Sequence, residues 1–158
     1  MYRLFSTSNS WALTTARLAL GGVMLPHGLQ KALGWFGGPG FDGSMGFLTG
    51  MGLPGVVAVT VILAESLFAV LLLAGAVSRV SALLIAAVMV GAVATMHGQH
   101  GFFMNWYGAA AGEGFEYHLL ALGLATVTMI GGGGALSVDA AVAERLAAEP
   151  ALADARAV

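Results

Sequence analysis

Arg17-Leu-Ala-Leu-Gly-Gly-Val-Met-Leu-Pro-His27-Gly-Leu-Gln-Lys31 is the stretch on which the reading of this chain turns. It is apolar enough for a membrane-spanning helix, yet it carries an arginine, a proline, a histidine and a lysine. At about 3.6 residues per turn, Arg17, Gly21, Met24, His27, Gly28 and Lys31 fall on roughly a third of the helix circumference. Charge in hydrocarbon is costly, so such a stripe faces the protein interior, a partner or water. Pro26 lacks an N–H and crowds the carbonyl of Gly22, which predicts a kink just below His27. A plainer reading has Arg17 snorkelling to the interface and His27 capping a bent helix.

The rest of the chain agrees with a membrane setting. Of 158 residues, 58% are hydrophobic and 9% charged. Soluble domains carry about 25% charged residues. The mean hydropathy is +0.87. Net charge is −2 without a basic tract, so no nucleic-acid partner is expected. The absence of cysteine excludes thiol redox chemistry, iron–sulfur clusters and thioether-linked haem. Arg17 interrupts the first apolar run and no small-residue cleavage site follows it, so the first helix is expected to be retained.

Working outward, the sequence predicts an all-α fold: a four-transmembrane-helix bundle with glycine-rich outer segments and a short C-terminal amphipathic helix. Residues 1–10 are a polar N-terminal segment. Residues 11–137 form the membrane domain, with spans at about 11–33, 54–74, 80–97 and 116–131, each near bilayer thickness. Residues 138–158 are a cytoplasmic tail, whose helix is expected over Ala140–Glu149, capped by Ser137 or Asp139 and ended by Pro150. Between the first two spans, glycine and proline density marks an irregular segment with a short interfacial helix around Met45–Met51. Residues 97–115 are a second such segment. Arg3, Arg79, Arg145 and Arg156 fall on one side and Lys31 on the other, so both termini are expected in the cytoplasm.

This topology gathers distant residues. His27 and Lys31, His97 and His100, and Glu116 with His118 all fall at the outer end, forming a polar layer. One reading is interfacial hydrogen bonding without a ligand. The other is a pocket, open to the outer leaflet, for an apolar molecule with a polar head, in which histidines and a carboxylate hold carbonyls or move protons. Deeper in the bundle, Arg17 and Glu65 lie at similar depth and are expected to pair, either as a clamp between helices or as a proton-linked pair. His97, His100, Glu116 and His118 are acceptable metal-ligand types, but Glu116 and His118 at i, i+2 point apart on a helix, and nothing requires a metal or haem. Trp35, Phe36, Phe102, Phe103, Trp106 and Tyr107 are ring-stacking candidates or ordinary interface aromatics.

The chain resembles the DoxX family of small bacterial four-span membrane proteins. The resemblance rests on Arg17…Gly21-Gly…His27-Gly-Leu-Gln-Lys31, Glu65, Gly75…Arg79, Ala94-Thr-Met-His97, and the glycine run followed by Leu136-Ser-Val-Asp139. It covers about residues 11–140. It implies an inner-membrane bundle and links the chain to quinone-dependent redox or oxidative-stress systems. On that basis the expected function is a subunit of a quinone-linked redox system, with His27, Lys31, His97, His100, Glu116 and His118 as binding residues. His27, His97 and Glu116 are the candidates for chemistry, and quinone is the candidate cofactor. The alternatives are a non-enzymatic anchor or assembly subunit, docking a protein partner or a second copy through its outer segments, and a small-solute carrier, which only four spans and no internal repeat disfavour.

Overall fold

The computed structural model describes residues 2–156, and every regular element among them is helical. After the short α1 (Tyr2–Phe5) come α2 (Trp11–Leu33), α3 (Gly40–Gly50), α4 (Gly55–Glu65), α5 (Leu67–Ala74) and α6 (Ser78–Ala92). A π-helical turn, Val93–His97, and a 3-10 turn, Gly98–His100, extend α6. The chain ends in α7 (Glu116–Gly131) and α8 (Val138–Arg156). Two continuous stretches, Gly55–Ala74 and Ser78–His100, are long and apolar enough to cross a membrane. Helix α2 has the length, 23 residues, but carries Arg17 and Lys31, while α7 is apolar but has 16 residues.

The helix expected at Met45–Met51 begins earlier, at Gly40, and ends at Gly50. Helix α2 runs unbroken from Trp11 to Leu33 with Pro26 inside it. The helix expected over Ala140–Glu149 is longer at both ends. Pro150 does not terminate it, because the flanking sequence is rich in alanine, the strongest helix former. Residues 157 and 158 of the expected tail lie outside the described residues.

Packing divides the bundle into two halves: an inner half that holds the Gly75–Ser78 turn and an outer half that holds the loop before α7. In the inner half, Leu20 and Met24 of α2 pack with Leu72 of α5, Ile85 and Met89 of α6, and Ala121 and Ala125 of α7. Small residues in this core let the helices approach closely. In the outer half, a separate cluster joins Leu48 of α3 to Ala58 and Ile62 of α4. Ser66 lies at the boundary between the two halves. Its φ of −102° and ψ of −79° break the helix between α4 and α5. Helix α5 can then stay in the inner core while α4 departs to pack on α3.

Arg17, Gly75, Arg79 and the Gly131–Asp139 stretch converge on the inner end. Arg17 is 3% exposed, and its fork donates only to backbone carbonyls. Nε reaches Gly133 O at 2.6 Å, Nη1 reaches Leu72 O at 3.2 Å and also Leu73 O, and Nη2 reaches Leu136 O at 3.0 Å and Ala135 O at 3.4 Å. Leu72 and Leu73 lie in the last turn of α5, where the helix presents partial negative charge. Gly75 ends α5 at φ 69°, and a Cβ there would strike the Ser137 side chain. Arg79 donates to the carbonyls of Met129, Ile130 and Ser6. Thr7, within the polar N-terminal segment, bonds Gly131 O and Gly134 N.

The expected Arg17–Glu65 pair is therefore corrected: it does not form. Gly28 of α2 lies against the Glu65 carbonyl, and Gly21 against Ala69 and Leu73. This antiparallel register places Arg17 beside the end of α5, about two turns inward of Glu65. Side chains lean toward their helix N-terminus. Arg17 thus leans inward, Glu65 leans outward, and Lys31 leans inward to meet Glu65.

Asp139 caps a helix other than its own. Buried at 1% exposure, it accepts from Val77 N at 2.7 Å and Ser78 N at 2.8 Å, the free donors at the start of α6. Ser137 Oγ caps α8 through Ala140 N at 3.1 Å. Asp139→Ala is expected to cost about 2–3 kcal/mol, because two buried donors lose a charged acceptor. Asp139→Asn, which keeps one acceptor, should cost less. Thermal unfolding in detergent checks the order.

Candidate functional site

The split in the outer half leaves a cavity of about 780 Å³ between the two core clusters. Helices α2, α3, α4 and α6 form its walls, the start of α7 contributes Tyr117 and His118, and Met104 and Glu113 come from the loop before α7. Most of the wall is aliphatic or methionine. Met24, Met51, Met89, Met96 and Met104 all line it, and flexible thioethers fit irregular apolar ligands.

The polar groups collect at one end. Lys31 Nζ donates to Glu65 Oε2, and this is the ion pair found among the described residues. The pair gives the buried Glu65 a basic partner instead of leaving it alone. His97 and His118 rings lie with centroids 4.2 Å apart. Tyr117 sits 5.4 Å from His118 and 6.3 Å from His27. The π turn widens the end of α6 where His97 meets His118, a type of irregularity frequent at functional sites.

Hydrogen bonding assigns roles to the rings. His97 Nδ1 lies 2.9 Å from the Glu113 carbonyl, which only accepts, so Nδ1 carries the proton. In the neutral ring Nε2 is then an acceptor. Tyr117 OH donates to Met24 Sδ at 3.3 Å. His118 is 4% exposed, and its Nδ1 has no partner among the described residues. A buried polar atom without a partner costs about 1–3 kcal/mol, so it needs a reason.

Four of the six residues expected to bind, His27, Lys31, His97 and His118, line this cavity. The other two do not. Glu116 turns to the outer loop, where Oε1 accepts from Met104 N at 3.0 Å and Trp106 Nε1 at 3.1 Å. His100 packs against Gly112 instead, where a Cβ would touch its ring. Glu116 and His118 point apart, as i, i+2 spacing on a helix requires. No group of three or more His, Cys, Asp or Glu side chains converges as metal ligands among the described residues. Tyr117, Glu113 and the methionines other than Met24 were not singled out from sequence. For Tyr117 the signal was its place between Glu116 and His118; for the methionines, scattered along the chain, only the fold supplies one.

Glu113 and Glu116 pin the outer loop. Glu113 Oε2 accepts from Asn105 N at 2.7 Å, and Phe115 N and Glu116 N donate to the carbonyls of Gly101 and Phe102. The loop presents Phe103, Trp106 and Tyr107 outward, with Tyr107 97% exposed.

The family model for DoxX matches residues 12–98, more than half of the chain. That span includes His27, Lys31, Glu65 and His97 and stops before Tyr117 and His118. No curated protein and no solved structure matches the chain. The chain belongs to the DoxX family of membrane proteins.

Proposed function

From this membership we propose that the protein crosses the bacterial inner membrane four times, through α2, α4–α5, α6 and α7, and binds the head group of a quinone in the outer-half cavity as a subunit of a redox system. Both termini lie on the cytoplasmic side in this reading. Its support is that the N-terminal segment, the Gly75–Ser78 turn and the start of α8 share one end, the end that carries most of the basic residues.

The observation that carries the binding reading is the pair of imidazoles, His97 and His118, with ring centroids 4.2 Å apart on the wall of a largely apolar cavity. A quinone ring lying against the two imidazoles would bring a ring oxygen within their reach. His97 Nε2 would accept from a hydroxyl of the reduced ring, and His27 and Tyr117 border the same space. A quinone, when bound, supplies the capacity to take up and release electrons and protons; the residues here orient the ring, exclude water from it and offer proton-exchanging groups beside it. With no cysteine in the chain, a cysteine-borne electron donor would have to come from another protein.

His118→Leu tests this. The replacement removes a side chain that makes no hydrogen bond through Nδ1, so the fold should tolerate it. Affinity for an added quinone, measured by calorimetry in nanodiscs, should fall about tenfold or more. Unchanged affinity would overturn the reading.

A second reading is favoured by the outward aromatic side chains of the pinned loop, Phe103, Trp106 and Tyr107. Under it the protein anchors or assembles a larger complex at the outer surface, and the loop is where the partner docks.

A further inference from the structure

The cavity has a wall that faces neither the polar end nor the outer loop. Thr60 on α4, Ala87 and Gly91 on α6, and Thr95 in the π turn that extends it line the cavity and are themselves exposed. Along α6 and this turn these positions recur at i, i+4 and i+8, one face of the helix. On α4, Val57 and Val61 flank Thr60 on the same cavity wall. The side chains on both lips are small or aliphatic, and a Cβ built at Gly91 meets nothing within 4 Å. The helices therefore part here and leave an apolar cleft.

The depth of the cleft says what fills it. Gly91 lies six residues before His97, about 9 Å further into the membrane along α6, and Thr60 lies a similar distance beyond Pro54 on α4. Both fall within the outer half of a hydrocarbon layer about 30 Å thick. At that depth the medium outside the cleft is lipid chain. The cleft is also continuous with the polar end, so one molecule with a polar head and a hydrocarbon chain satisfies both.

We propose that the cleft between α4 and α6 opens the cavity to the outer leaflet and seats the hydrocarbon chain of a membrane-dissolved ligand whose head lies among His27, His97 and His118. The inference rests on the proposed head-group site and adds the chain seat to it. It makes the ligand a lipid-soluble amphiphile loaded from the bilayer, rather than a water-soluble ring loaded through the outer loop.

The test uses two probes, a quinone with an alkyl tail and the same ring bearing a methyl group instead, with the full chain in nanodiscs. Gly91→Phe fills the cleft from a position with open space around it. Gly123→Phe, on the exposed face of α7 and away from the cavity, is the control, since a Cβ there also meets nothing within 4 Å. Wild type should bind the tailed quinone more tightly than the short one. Gly91→Phe should weaken the tailed quinone at least about tenfold and change the short one by less than about twofold, whereas Gly123→Phe should change neither. If Gly91→Phe binds the tailed quinone like wild type, the cleft is not the chain seat, although the head-group site stands. If wild type binds neither probe, the head-group reading itself falls, and the chain seat with it.

Discussion

Arg17→Leu is expected to abolish accumulation of folded protein. Five backbone carbonyls, from the end of α5 and the loop between α7 and α8, lose this donor at once; Leu72 O keeps Gly75 N and Ala135 O keeps Thr14 Oγ1, whereas the carbonyls of Leu73, Gly133 and Leu136 are left without one. Each buried acceptor left without a partner costs about 1–3 kcal/mol. Three such acceptors together cost about 3–9 kcal/mol, against a total stability of about 5–15 kcal/mol for a typical domain. Arg17→Lys keeps the charge but replaces a fork of donors with one nitrogen, which cannot reach both the α5 terminus and the far loop. It should therefore fall between wild type and Arg17→Leu. Fluorescence-detected gel filtration and thermal unfolding in mild detergent read both effects. Wild-type stability in Arg17→Leu would show that the inner end is held by other contacts.

Gly28→Ala is expected to do comparable damage from one added methyl. A Cβ at this position would overlap the carbonyl group of Glu65 and the amide nitrogen of Ser66. Both are backbone, so no side chain can swing aside. Helix α2 must move away from α4, and Lys31, one turn along the same face, moves with it. The Lys31–Glu65 pair would then be pulled apart, leaving a carboxylate that is 4% exposed without its partner. Overpacking costs about 1–3 kcal/mol, and breaking a buried ion pair about 3–5 kcal/mol. Gly28→Ala should thus lose both stability and quinone binding. Gly22→Ala, at a position with open space around it on the same helix, should keep both. The same unfolding and calorimetric measurements compare them.

The sequence showed that the stripe from Arg17 to Lys31 faces inward, because periodicity alone determines which residues share a helix face. It also brought His27, Lys31, His97 and His118 to one level, because short turns force antiparallel neighbours. Periodicity says nothing about how far one helix slides along the next. That register is set by the contact of Gly28 with the Glu65 carbonyl, so Arg17 was paired with the wrong group and Lys31 was left without its true partner. The Ser66 break was equally hidden, since Ala64-Glu-Ser-Leu67 contains no proline or glycine to announce it. Without the break, the cavity and the cleft could not be foreseen. Glu116 was assigned to the head-group layer by level alone, and its azimuth around α7 instead sends it to the outer loop. Asp139 was legible as a cap, but its helix was not, because it caps α6 across the turn and leaves α8 to Ser137.

The most direct measurement is mass spectrometry of the small molecules that copurify with the protein from bacterial membranes, for wild type and His118→Leu prepared alike. The account predicts a tailed quinone in near-stoichiometric amount with wild type, and its loss from His118→Leu while the variant still elutes as a folded protein. Equal retention of quinone by both proteins, or a reproducible protein partner and no quinone in wild type, would contradict it; the second result would move the function to the outer loop.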